Sequence, residues 1–125
     1  MLPADLKLIA GPCSAESYEQ LRAVAQQLDS VNLFAFRAGI WKPRTQPGAF
    51  EGAGAEGLRW MRDIQDEFDL NVITEVANSS HVENVLAHGF NMMWIGARTT
   101  SNPFSVQELA DSLQGTEATI LIKNV

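Results

Sequence analysis

The sequence predicts an α/β fold with parallel strands, on three observations. Short, uninterrupted apolar runs recur along the chain, and runs of that kind belong to strands buried on both faces. Each of the first four is followed by a stretch whose apolar residues return at helical spacing. Gly, Pro, Ser and Asn punctuate the junctions between them. A composition of 46% hydrophobic and 19% charged residues agrees with one globular unit that has material for a core.

Leu6-Lys7-Leu8-Ile9-Ala10, closed by Gly11-Pro12, is the first expected strand. Ser17-Tyr18-Glu19-Gln20 fits a capping box, and Leu21, Val24, Ala25 and Leu28 then repeat as one helix face. Leu33-Phe34-Ala35-Phe36 is the second strand. After a long loop, Leu58, Met61, Ile64 and Phe68 mark the second helix. Asn71 to Val76 reads as the third strand. Ser80-His81-Val82-Glu83 is a second capping box, Val82, Val85 and Leu86 share a face, and Gly89 is placed to end that helix in a left-handed conformation. Met93-Trp94-Ile95-Gly96 is the fourth strand. Ser105-Val106-Gln107-Glu108 is a third box, Val106, Leu109, Ala110 and Leu113 face one way, and Gly115 stops the helix before a fifth strand, Thr119 to Ile122.

No linker or low-complexity tract divides this series, so one domain is expected over residues 1–125. A closed β/α-barrel needs eight strands and typically about 250 residues. The expectation is therefore either an open five-stranded sheet or the N-terminal part of a single (β/α)8 barrel, with about five parallel strands and four helices, cut after strand five. Strands one and five then form open edges.

The net charge of −6 disfavours nucleic acid and anionic lipid as partners. Met1 to Asp5 lack the basic start and apolar run of a leader, so no membrane association is expected and a cytoplasmic location follows by default. A single cysteine, Cys13, cannot form an internal disulfide.

In parallel α/β folds ligands bind at the C-terminal ends of strands. Five of the nine basic residues fall there: Arg37, Lys42, Arg44, Arg98 and Lys123. A neighbouring carboxylate, such as Glu16, Glu51 or Glu75, accounts for any one of them as well as a ligand does. Five together in an acidic chain call for a polyanion, such as a phosphate ester that also carries a carboxylate. Lys42-Pro43-Arg44-Thr45-Gln46-Pro47-Gly48 adds two prolines that stiffen its loop, and Gly96-Ala97-Arg98-Thr99-Thr100 adds two hydroxyls close to the start of a helix. Cys13, at the same rim, is either a small apolar filler or a thiolate that ligates a metal. His81 and His88 are expected on the third helix, away from the strand ends, as solvated or cap-associated side chains.

Gly11-Pro12-Cys13-Ser14, Lys42-Pro43-Arg44-Thr45, Gly96-Ala97-Arg98-Thr99-Thr100 and Lys123-Asn124, in this order, resemble 3-deoxy-7-phosphoheptulonate synthase, which opens the shikimate route to the aromatic amino acids. The resemblance implies a (β/α)8 barrel that condenses phosphoenolpyruvate with erythrose 4-phosphate and releases phosphate, using a divalent metal of the Mn, Fe, Co or Zn type. It implies that Arg37, Arg98 and Lys123 bind phosphoenolpyruvate, with Thr99 alongside and Lys42 beside the reacting carbons. Pro43, Arg44 and Thr45 would receive the aldose phosphate, Glu75 would sit near phosphoenolpyruvate and a bound water, and Cys13 would ligate the metal. Lys42, Arg98 and Lys123 are the expected catalytic residues, and a homo-oligomer is expected. The family's other metal ligands, a histidine and two carboxylates, come from later strands, so the chain alone is expected to lack turnover.

Three other readings differ in class or substrate. The synthase of 3-deoxy-8-phosphooctulonate shares fold and chemistry but lacks this Lys-Pro-Arg-Thr form. A non-catalytic half barrel that pairs with another chain would show dimerisation without turnover. Gly52-Ala53-Gly54-Ala55-Glu56-Gly57 matches a dinucleotide fingerprint literally, but a long loop separates it from its strand, where the fingerprint must follow at once.

Overall fold

Apolar runs bounded by turn residues do form the strands, and the computed structural model describes residues 6–41 and 53–123. The elements are β1 (Ile9–Ala10), α1 (Tyr18–Gln27), β2 (Ala35–Arg37), α2 (Ala55–Phe68), β3 (Val72–Val76), α3 (Ser79–Ala87), β4 (Met92–Ile95), α4 (Ala97–Thr100), α5 (Pro103–Leu113) and β5 (Thr119–Ile122). All strand pairs are parallel and the sheet order is β1-β2-β3-β4-β5. Consecutive parallel strands joined through helices make a part-barrel of the (β/α)8 type.

The helices cover one face of the sheet. Phe36, Val72, Val76, Met93 and Ile95 pack there against Leu21 and Ala25 of α1, Leu58, Met61 and Ile64 of α2, Val82 and Val85 of α3, and Leu109 of α5. Burial of such side chains contributes roughly 1.5–3 kcal/mol each and is the main force holding helices to sheet. The opposite, inner face carries a smaller cluster of Ala35, Ile73 and Met92, flanked by Ile9, Phe34 and Trp94. Side chains alternate across a strand, so Arg37, Glu75 and Lys123 also belong to the inner face.

Several boundaries differ from the sequence expectation for local reasons. β1 is two residues long because Leu6 is half exposed, although Phe34 still donates its N–H to Leu8 O at 2.7 Å. β2 starts two residues later than expected and ends one later, taking in Arg37, aligned with Ile73. β4 ends at Ile95, and Gly96 serves instead as N-cap of a short fifth helix, α4, where four helices were expected.

The two downstream capping boxes are also corrected. Asn78, not Ser80, caps α3, its Oδ1 accepting from His81 N at 2.9 Å. Asn102, not Ser105, caps α5, accepting from Phe104 N and Ser105 N, with Pro103 in the first turn. Asn serves as well as Ser at a cap, and proline at the first helical position fixes the start. Glu108, freed from the expected box, accepts from Ser79 N at 2.7 Å and ties α5 to α3. The box of α1 holds in part: Ser17 Oγ accepts from Gln20 N, while Gln20 Oε1 accepts from Glu16 N rather than from the cap residue. Gly89 and Gly115 have φ of 85° and 79°, as their helix-ending positions require. Ala110, expected on the inner face of α5, is exposed, and so is most of β5.

Candidate functional site

Period-two alternation divides the inner face into two tiers. Along each strand an apolar residue is followed two positions later, nearer the C-terminal end, by a polar or aromatic one: Arg37 after Ala35, Glu75 after Ile73 and Trp94 after Met92, with Ile9 level with Ala35 and Lys123 following Leu121 at the end of β5. A cavity of about 240 Å³ opens here, lined by Ile9, Arg37, Ile73, Trp94, Leu121, Ile122 and Lys123.

Backbone geometry holds the cations at this level. Gly11 has φ of 152°, and a Cβ on it would lie 2.0 Å from the carbonyl oxygen of Arg37. Only glycine lets β1 come that close to Arg37. Past the strand ends the pairing continues, Gly39 N donating to Cys13 O at 3.1 Å and Ala15 N to Gly39 O at 2.8 Å. That bridge sets the exposed Cys13 at the same end of the sheet. Lys123 N donates to Ile95 O at 3.0 Å, which extends the β4–β5 register one residue and places Lys123 on the cavity wall.

The guanidinium of Arg37 lies over the ring of Trp94, 4.8 Å from its centroid, and its Nε is buried without a hydrogen-bond partner. Trp94 Nε1 in turn donates to Glu75 Oε1 at 3.0 Å. The other carboxylate oxygen crowds Gly96, where a Cβ would approach it to 2.6 Å. Among the described residues the ion pairs are Arg22–Glu67 and Arg62–Asp66, both on the helices. Neither Arg37, Arg98 nor Lys123 has a carboxylate partner there, so among the described residues these side chains are not neutralised internally; Glu51 lies outside them. A buried guanidinium N–H with nothing to donate to carries a desolvation cost that an anion in the cavity would remove.

Arg98 and Thr99 sit in α4, immediately after β4; Arg98 is exposed and Thr99 half-buried, and Thr100 Oγ1 donates to Gly96 O at 2.9 Å. The helix start expected to favour an anion here does not offer one. α4 has four residues, and the N-terminal N–H groups of α5 are already taken by Asn102. Lys42, Pro43, Arg44 and Thr45 lie outside the described residues.

Trp41, the residue before that motif, stacks on His81 with ring centroids 4.0 Å apart and planes within 10°. His81 Nδ1 accepts from Ala77 N at 3.0 Å, and burial pushes the imidazole pKa below its ordinary value. His81 therefore stands at the N-terminal end of α3, on the same rim as the strand ends, contrary to the expectation that it lies away from them. It is nevertheless bound to the backbone that caps α3, as expected. His88, at the other end of α3, bonds to Asn84 O.

Among the described residues no group of three His, Cys, Asp or Glu side chains is placed to hold a metal ion. Cys13 offers one donor, and the residues present do not by themselves fit a complete metal centre. Of the glycines in the literal dinucleotide match, Gly57 abuts Ile40, whose Cδ1 would lie 2.7 Å from a Cβ, Gly54, with φ of 65°, is the N-cap of α2, and Gly52 lies outside the described residues.

Trp94 is the site residue that the sequence reading passes over. Every residue from Met92 to Ile95 is apolar, so nothing in the run itself marks which side chains face inward. Pairing of Glu75 with Trp94 supplies that parity.

Comparison with known proteins follows the same lines. A sequence model described as the DAHP synthetase I family matches residues 4–125. A phospho-2-dehydro-3-deoxyheptonate aldolase from Thermotoga maritima is 36% identical over 95 residues, covering 76% of this chain and 28% of the relative. A 2-dehydro-3-deoxyphosphooctonate aldolase from Campylobacter jejuni is 35% identical over 85 residues, covering 62% of this chain and 31% of the relative. The crystal structure of a DAHP synthase from Thermotoga maritima superposes with a TM-score of 0.82 at 29% identity, over 99% of this chain and 37% of that one. The chain thus spans less than a third of the length of these two curated relatives. No described helix is long and apolar enough to cross a membrane.

Proposed function

The chain belongs to the DAHP synthetase I family, and on that premise we propose that its inner-face cavity binds phosphoenolpyruvate for an aldol-type condensation with an aldose phosphate, erythrose 4-phosphate in the preferred reading. The observation that supports this most is the convergence of Arg37 and Lys123 on one cavity, with no described carboxylate lining it or ion-paired to either of them. Phosphoenolpyruvate carries a phosphate and a carboxylate, and two cations across a small cavity suit a doubly anionic ligand. Arg98 and Thr99, leaving β4 at that rim, would complete the grip on it. Lys42 would stand beside the reacting carbons, and Pro43, Arg44 and Thr45 would take the aldose phosphate.

In the condensation, the enol carbon attacks the aldehyde carbon, a C–C bond forms, and the aldehyde oxygen takes up a proton. Water adds to the cationic carbon left behind and loses a proton, and cleavage of the C–O bond then expels phosphate. Held against Trp94, Glu75 is the group near that water in this reading. The cations lower the cost of bringing two anionic substrates together, and their fixed positions align the reacting carbons. A divalent metal is part of the family reading with Cys13 as one donor, but no step is assigned to it here. The domain itself is read as the N-terminal part of one barrel, residues 1–125.

The eight-carbon synthase reading shares all of these cavity residues and parts from the first only at the aldose phosphate, so discrimination between the two aldose phosphates separates them. The cavity assignment is tested by calorimetric titration of phosphoenolpyruvate into the chain and into its Arg37→Ala and Lys123→Ala variants. Each substitution is expected to weaken binding about ten-fold or more, as loss of a charge-assisted contact does. Binding that is unchanged in both variants would remove the cavity from consideration.

A further inference from the structure

Resting on the reading of the Arg37–Lys123 cavity as an anion site, we propose that Trp94 is a positioning residue that prevents Glu75 from neutralising Arg37. Arg37 on β2 is aligned with Ile73, and Glu75 lies two residues further along β3 on the same face. Diagonal neighbours of that kind have Cα atoms roughly 7–8 Å apart, within reach of two long side chains. A guanidinium and a carboxylate so placed, in a partly desolvated site, form an ion pair by default. Here they do not.

Trp94 occupies both of them. Its N–H goes to Glu75 Oε1 at 3.0 Å, and its ring face takes the guanidinium of Arg37 at 4.8 Å. Gly96 gives the carboxylate room to lean toward β4, since any Cβ there would meet Oε2 at 2.6 Å. One indole thus satisfies an acid with its edge and a base with its face. The buried Nε of Arg37 keeps its hydrogen uncommitted, ready for the oxygen of a phosphate or carboxylate. Without the indole N–H, Glu75, the inner-face carboxylate diagonal to Arg37, is released, and an internal ion pair then competes with the ligand for Arg37.

The test uses Trp94→Phe, which keeps an aromatic face but deletes the N–H. Titrated with phosphoenolpyruvate, Trp94→Phe is expected to bind about three- to five-fold more weakly than the native chain, the scale of one competing ion pair. Trp94→Phe combined with Glu75→Gln is expected to bind at least about two-fold more tightly than Trp94→Phe alone, since the competing charge is gone. A crystal structure of Trp94→Phe is expected to show Arg37 and Glu75 within about 4 Å, the ion-pair limit. If the double variant binds as weakly as Trp94→Phe and the two side chains stay apart, Trp94 is only a packing residue and the inference is overturned. A native chain that binds no phosphoenolpyruvate overturns the cavity reading instead, and the crystallographic comparison alone then decides the role of Trp94.

Discussion

At the scale of single residues, the Trp41–His81 stack has a pH consequence. His81 accepts a backbone N–H through Nδ1 and is half-buried, so the folded chain favours its neutral form and its pKa is lowered. The unfolded chain therefore takes up a proton at this residue at higher pH than the folded chain does. Stability from this group is complete above its unfolded pKa of about 6.5 and is lost as pH falls through the lower folded value. The melting temperature is expected to drop between pH 7.5 and pH 5.5 by more in the native chain than in His81→Gln, which cannot titrate. Equal drops would show that the stack does not sense pH. Residues of this kind were partly legible: His81 was placed correctly at a cap but on the wrong rim, because a helix start lies beside a strand end. The placement of Arg37 and Lys123 at strand ends was legible because charge in an apolar context is conspicuous. Trp94 was not, because an aromatic residue in an apolar run carries no mark of its facing.

At the scale of elements, the helix starts turn on asparagine. Asn78→Ala and Asn102→Ala are each expected to lower unfolding free energy by about 1 kcal/mol, the usual cost of losing a cap. Ser80→Ala and Ser105→Ala, at positions inside the helices, are expected to stay within about 0.5 kcal/mol of the native chain. Urea unfolding of the four variants decides between the observed caps and the serine boxes. The serine pattern misled because serine and glutamate at capping-box spacing also occur within a first turn. Asn102-Pro103 was the better signal, since proline suits the first turn and cannot continue a helix from before it. Strand identity was more legible than strand bounds: all five apolar runs became strands, and β5 matched residue for residue, while β2 was displaced by its register with β1 and β3.

At the scale of the whole molecule, order across the sheet follows position in it. β3 is paired on both sides and almost wholly buried, whereas β5 is paired only to β4 and leaves Ile122 at 64% exposure. Amide hydrogens of β5 are expected to exchange at least about ten-fold faster than those of β3, because edge strands open without unfolding the rest. Equal protection, read by NMR, would mean that the sheet opens only as one unit. The α/β class was legible from periodicity, since burial on the helix-covered face dominates the pattern. The exposure of β5 was not, since an apolar run reads alike whether or not something covers it. The two tiers of the inner face have one more consequence. Ile9 and Ile73 line the cavity with apolar surface that offers an anion nothing to bind, so under the proposed binding mode they limit how far a charged group can sink toward the N-terminal ends of the strands. Any lengthening of such a ligand's carbon chain would then have to project outward, past the strand tips.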